Sequence, residues 1–193
     1  MNQEQILQIF RDSEALLEGH FRLTSGRHSN RYVQCAQVLQ YPDQTEKLAS
    51  YLADKVEATV GKGTVDLVIG PAMGGIIVAY AVGQALGLRA IFAERENGTM
   101  KLRRSFQIAK GQKVLVCEDV VTTGGSVREV MDVVKEAGGE VIAVASLIER
   151  SNGQADFGVP FCSALAMEVI SWDPAECPLC QEGTPAIKPG SRS

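Results

Sequence analysis

Residues 114–126 read Val114-Leu-Val-Cys-Glu-Asp-Val-Val-Thr-Thr-Gly-Gly-Ser126. An apolar run of strand length ends in two adjacent carboxylates, and a Thr-Thr-Gly-Gly-Ser turn follows. Beyond the turn, Val127, Val130, Met131 and Val134 keep the i, i+3, i+4, i+7 spacing of one helical face. Strand, turn and helix in that order are half of a β-α-β unit. The same alternation runs through most of the chain from residue 65. Its apolar runs are DLVIG (66–70), RAIFAE (89–94), KVLVCED (113–119), EVIAVASLIE (140–149) and FCSALAMEV (161–169). They show little polar–apolar alternation, as strands covered on both faces of a parallel sheet do. Residues 74–86 and 124–137 are predicted to be crossover helices. The fold class is therefore α/β, a central parallel sheet flanked by helices. Upstream, Ile6, Leu7 and Phe10, then Leu17, are predicted to share one helical face, as are Leu48, Tyr51, Leu52 and Val56. Between them, LTSGRHSNRYVQC (23–35) reads as a turn leading into a short strand.

The composition bounds the function. The chain of 193 residues carries 19 Lys+Arg against 23 Asp+Glu, a net charge of −4, which argues against a general nucleic-acid binder. A local basic patch for one phosphorylated ligand stays compatible with that balance. No apolar run approaches the roughly 18–20 residues of a membrane span. The first residues, MNQEQILQIFRDSEALLEG, lack the layout of a signal peptide, so a cytoplasmic address is expected. The cysteines are Cys35, Cys117, Cys162, Cys177 and Cys180. Cys117 and Cys162 sit in apolar runs and read as small buried hydrophobes. Cys177-Pro-Leu-Cys180 has zinc-ligand spacing, but such a site needs about four ligands and no second pair of this kind exists. A structural turn is the expectation there, and no residue is assigned to a metal.

Open α/β sheets bind ligands beyond the carboxyl ends of their strands. Four such ends carry GPAMGG (70–75), ERENGTMKLRRS (94–105), EDVVTTGGS (118–126) and ERSNG (149–153). In the third, glycines let backbone N–H groups approach an anion, hydroxyls add donors, and the helix N-terminus favours negative charge. Thr122–Ser126 should thus cradle a phosphate. Glu118 and Asp119 would repel it and suit neutral donors beside it, such as vicinal ribose hydroxyls, or a cation. A strand–turn–helix junction with a capping Ser or Thr would need no ligand, but it leaves the two acids unexplained. Neither the triphosphatase G-x-x-x-x-G-K-[ST] loop nor the dinucleotide G-x-G-x-x-G occurs.

Segment 114–126 resembles the phosphoribosyl diphosphate motif of the type I phosphoribosyltransferases. From about Phe21 to the terminal PGSR, the chain is similar to the bacterial orotate phosphoribosyltransferases. That resemblance implies transfer of the 5-phosphoribosyl group from phosphoribosyl diphosphate to orotate, with Mg2+, in pyrimidine biosynthesis. It implies that Glu118 and Asp119 hold the ribose hydroxyls and that Val120, Val121, Thr122, Thr123, Gly124, Gly125 and Ser126 wrap the 5′-phosphate. Thr122 would also lie near orotate. Met73 and Gly74, in the 70–75 loop, would receive the diphosphate.

Residues 95–104 match the mobile catalytic loop of the family. Its cations Arg95, Lys101, Arg103 and Arg104 could close over a leaving diphosphate or form an ordinary solvated face. Arg95 is assigned to diphosphate binding, and Lys101, Arg103 and Asp119 to catalysis. Arg150 falls where the family places an arginine against orotate, and a guanidinium suits a carboxylate on a planar ring. The alternative for Arg150 is a surface pair with Glu149.

Residues 23–32 match a hood over the base, with Thr24 standing where many relatives carry Lys. His28, with no second histidine nearby, reads as a hydrogen-bonded loop residue. The reading is of one domain over 1–193, with a hood from about 1–40 plus part of the C-terminal region and a core at about 60–170. Magnesium is expected on substrate oxygens and water. The family also implies a homodimer with shared sites. The rival readings are a purine phosphoribosyltransferase and a non-catalytic sensor of phosphoribosyl diphosphate.

Overall fold

The computed structural model describes residues 1–23 and 25–189. Helix α1 (Gln3–Asp12) begins at a reciprocal cap: the Asn2 side chain accepts from the Gln5 N–H, and the Gln5 side chain accepts from that of Asn2, both at 2.9 Å. Ile6 and Phe10 face inward from it. The helical face does not continue to Leu17. The chain turns at Glu14, whose φ is 55°, and Leu17 lies on strand β1 (Leu16–Arg22). β1 pairs antiparallel with β2 (His28–Val33). The two-residue β9 (Ser171–Trp172) joins the far edge of β2, giving a small three-stranded hood sheet.

The main body follows the β-α-β alternation. Helices α2 (Ala36–Leu39) and α3 (Pro42–Val60) lead into β3 (Leu67–Pro71), α4 (Gly74–Leu86), β4 (Ala90–Glu96) and β5 (Thr99–Leu102). Then come β6 (Lys113–Val121), α5 (Gly125–Glu136), β7 (Glu140–Glu149) and β8 (Phe161–Ala166). A 3₁₀ turn (Pro174–Glu176) and the short α6 (Pro178–Gln181) follow β9. The six strands lie in the order β5-β4-β3-β6-β7-β8, all parallel except β5.

Burial on both faces accounts for the unbroken apolar runs. Val68, Leu115 and Cys117 pack with Leu48 and Leu52 of α3 and Val78 and Val82 of α4. Their sequence neighbours Leu67, Ile69, Val114 and Val116 pack on the other face, with Val127, Val130 and Val134 of α5. Neighbouring positions on one strand thus feed two cores, and a polar residue at either would face apolar packing. Strand order reverses between β3 and β6, so their carboxyl ends part there and open a crevice.

Candidate active site

The crevice is built from the chain following β3 and the chain following β6. Glu118 is buried, with its Oε1 accepting from the Asp119 N–H at 3.0 Å, and Asp119 Oδ1 accepts from the Val120 N–H at 2.7 Å. Burial, reinforced by the charge of Asp119, pushes the Glu118 carboxyl up to about 8. Among the described residues no Lys or Arg pairs with either acid.

The loop after β3 lies close against these acids. A Cβ at Gly74 would stand 2.3 Å from Asp119 Oδ2, and one at Gly75 would stand 3.2 Å from Glu118 Oε1. Only residues without side chains let the backbone run beside the carboxylates. Met73, at the N-cap of α4, is 82 % exposed.

Beyond Asp119, residues 120–126 and Glu118 line a cavity of about 210 Å³ together with Arg95 and Glu129. Gly124 caps α5 at φ 77° and offers no side-chain cap, so the first N–H groups of the helix keep their donor capacity for a ligand. Arg128 holds this turn in place. Its Nη1 donates to the Thr123 carbonyl at 2.6 Å and its Nη2 to the Asp156 carbonyl at 2.8 Å, while the guanidinium lies 5.1 Å from the Phe157 ring centre. Sequence reasoning missed Arg128. Its position one turn after Gly124, on the helix that opens the cradle, was the available signal.

Residues 95–104, matched in sequence to a mobile loop, form a hairpin and its extension. Arg95 pairs with Met100 and Glu96 with Thr99 in an antiparallel β4–β5 hairpin. Asn97 and Gly98 form its two-residue turn with φ of 52° and 82°. Asn-Gly between extended runs is a strong hairpin signal and could have been read as one. The four cations are also engaged. Lys101 Nζ lies 2.9 Å from Glu96, Arg103 lies 3.3 Å from Glu96, and Arg104 Nε donates to Glu94 at 2.8 Å. The Arg104 hydrogen bond is the chief reason the Glu94 carboxyl is held below its usual range. Arg95 is the member of the four that lines the cavity, and its Nη2 donates to Glu129 Oε1 at 2.9 Å.

Arg150 does not pair with Glu149. Glu149 instead accepts from the Ser151 N–H at 2.5 Å and from the Ser151 hydroxyl, closing the loop after β7. The Arg150 N–H donates to the Val121 carbonyl at 2.8 Å, which ties it to the end of β6 just before the glycine-rich turn. Its Nε is buried without a partner among the described residues, and burial lowers its proton affinity.

The hood residues part company with their sequence reading. His28 does have a second histidine beside it: His20 Nε2 lies 2.8 Å from His28 Nδ1, and Cys177 and Cys180 adjoin the pair. The absence of further ligands around the two cysteines is thereby overturned. Thr24 and the terminal 190–193 lie outside the described residues.

A glycine-rich turn opening a helix beside paired acids, at the switch point of a parallel sheet, defines a class, and residues 34–176 match the Phosphoribosyl transferase domain family. The orotate phosphoribosyltransferase of Heliobacterium modesticaldum is 70% identical over 193 residues, covering all of both chains. That of Desulforamulus reducens is 58% identical over 192 residues, 100% of this chain and 98% of its own. The crystal structure of orotate phosphoribosyltransferase from Aeropyrum pernix superposes with a TM-score of 0.68 at 26% identity, over 84% of this chain and 93% of that one. This chain belongs to the phosphoribosyl transferase family, in its orotate phosphoribosyltransferase branch.

Proposed function

We propose that this chain transfers the 5-phosphoribosyl group of phosphoribosyl diphosphate to orotate, giving orotidine 5′-monophosphate and diphosphate. The observation that carries the choice of base is Arg150. A buried guanidinium nitrogen without a partner is costly, and a ligand carboxylate beside the phosphate turn would satisfy it. A neutral purine would leave it unsatisfied.

The remaining residues then take their roles by position. Backbone N–H groups and hydroxyls of Thr122–Ser126 hold the 5′-phosphate. Glu118 and Asp119 accept from the ribose hydroxyls. The Met73–Gly74 backbone and Arg95 face the diphosphate, while Lys101 and Arg103 exchange their glutamate partners for it. The bond from the anomeric carbon to the diphosphate oxygen breaks as a ring nitrogen of orotate bonds to that carbon. The electron pair leaves with diphosphate, and nearby carboxylates favour the cationic sugar between them.

Two acids with no cationic partner beside a polyanionic substrate call for a counter-charge, and a divalent cation fits that need. Mg2+ would be held chiefly by substrate oxygens and water, with Asp119 supplying nearby negative charge; when bound, it neutralises the departing diphosphate.

The active unit is a homodimer. Supporting this, Met73, Ile77 and Tyr80 expose one face of α4 beside a groove of about 420 Å³ between α3 and α4. Tyr80 is 67 % exposed, unusual for an aromatic, and Met73 carries the patch to the diphosphate loop. No described helix is long and apolar enough to cross a membrane, and the composition suits a cytoplasmic enzyme. The deciding experiment measures turnover with orotate, then with adenine and hypoxanthine, in the presence of Mg2+. Orotidine 5′-monophosphate formation is expected; a preference for a purine would overturn the base assignment.

A further inference from the structure

Four potential metal ligands meet where the C-terminal segment crosses the hood. His20 comes from β1, His28 from β2, and Cys177 and Cys180 from the entrance to α6. One ligand atom from each lies within 4.8 Å of all the others. Cys177 Sγ is 3.5 Å and Cys180 Sγ 3.7 Å from His20 Nε2, and Cys180 Sγ is 3.2 Å from His28 Nδ1. A tetrahedral zinc with bonds of roughly 2.0–2.1 Å to nitrogen and 2.3 Å to sulfur separates its N and S ligands by roughly 3.5 Å. The observed spacings bracket that value.

The outer contacts point the same way. His20 Nδ1 lies 2.7 Å from the Thr184 carbonyl oxygen, which can only accept, so Nδ1 carries the proton and Nε2 presents a lone pair to the cluster. Cys177 is fully buried and His20 is 3 % exposed. Two thiolates and two neutral imidazoles around a divalent ion sum to zero charge, which suits such a place.

The segment is tied to the hood by hydrogen bonds but has almost no apolar anchor of its own. Between Met167 and residue 189, Cys177 is the one buried apolar side chain among the described residues. Two-residue β9 holds one edge of the hairpin, and a single bridge from Ile187 to Phe21 holds the other. So small an assembly has too little core to fix itself, and a metal staple is a standard remedy.

We propose that His20, His28, Cys177 and Cys180 bind a structural zinc ion that fastens the C-terminal segment across the hood hairpin. All four positions are protein ligands, so the site is closed and has no open position for substrate. The assignment stands whichever base the enzyme uses.

The test is metal content by mass spectrometry of protein purified under reducing conditions without added metal. About one zinc per chain is expected, and it should be lost in Cys180→Ser, which changes only the ligand at the rim. The unaltered chain gives a second readout independent of that variant's folding. Stripped of metal at low pH with a thiol reductant, refolded and supplied with Co2+, it should show the strong visible bands of tetrahedral cobalt and thiolate charge transfer. Zinc should abolish them, and its binding should raise Tm. No zinc together with no tetrahedral cobalt spectrum in the reduced chain would overturn the proposal. So would zinc that survives in the Cys177→Ser, Cys180→Ser double variant.

Discussion

Arg150 and Glu118 are ionisable groups held at the site without a counter-charge, and each gives a prediction. Removing the guanidinium in Arg150→Ala should cost orotate recognition about 1–3 kcal/mol, roughly 5- to 150-fold in kcat/KM. The KM for phosphoribosyl diphosphate should barely move, since the proposed phosphate cradle is made by residues 122–126. Steady-state kinetics with each substrate varied in turn checks this, and unchanged orotate kinetics would remove Arg150 from the base site. For Glu118, the folded chain keeps a proton up to about pH 8 that the unfolded chain releases near its ordinary carboxylate range. The unfolded state therefore binds fewer protons over that window, and stability contributed by the neutral acid falls as pH rises through it. Urea midpoints of the unliganded protein at pH 5 and pH 8.5 should show that fall, and Glu118→Gln should flatten it. Parallel pH dependences in the two proteins would mean that this carboxyl is not the source.

At the scale of elements, the turn joining β3 to α4 shows two different demands for glycine. A Cβ at Gly70 would stand 2.2 Å from the Gly75 carbonyl oxygen, and backbone on backbone cannot give way cheaply. At Gly74 the obstacle is the Asp119 carboxylate, the end of a side chain that can rotate. Gly70→Ala should therefore lower Tm strongly. Gly74→Ala should fold with a modest change in Tm yet lose at least about tenfold in turnover, because the displaced acid would no longer reach the ribose it is proposed to hold. Thermal melts alongside kinetics separate the two effects; equal losses of Tm in both variants would contradict it. The β4–β5 hairpin presents the complementary case. Its Lys and Arg side chains are prepositioned on Glu94, Glu96 and Glu129, so binding an anion there exchanges one set of partners for another and leaves no cation bare.

For the whole molecule, the prediction concerns the proposed homodimer and whether its two chains share two sites. If the hairpin cations of one subunit serve the cradle of its neighbour, a Lys101→Ala, Arg103→Ala chain and an Asp119→Ala chain should each be nearly inactive alone. Mixed under conditions that exchange subunits, they form dimers in which one site has both a sound hairpin and a sound cradle. Activity should return toward about a quarter of the unaltered level for random mixing of equal amounts, since half the dimers are mixed and each has one good site. Demonstrated exchange with no recovery would place hairpin and cradle action within one subunit. A sedimentation measurement on Tyr80→Glu extends the test, because a charge on the exposed face of α4 should drive the dimer apart.

The β-α-β order and the place of the glycine-rich turn after β6 are legible in the residues alone. Leu67–Pro71, Lys113–Val121 and Glu140–Glu149 announce themselves by unbroken apolar runs, because burial on two faces leaves no polar position. The cradle was equally legible, since its acids, hydroxyls, glycines and helix start are contiguous. The hairpin turn at Asn97-Gly98 is legible too, since Asn-Gly between extended runs favours a two-residue turn. Only the tertiary structure decided what meets across the chain. Arg128 acts through Phe157 and Asp156, Arg150 Nε has no partner among the described residues, and His20 and His28 meet cysteines some 150 residues away. Periodicity records which face of a segment is buried, but a single histidine has no period. Its partner is chosen by the register of β1 on β2 and by the path of the C-terminal segment over them, both of which are settled only when the sheet closes.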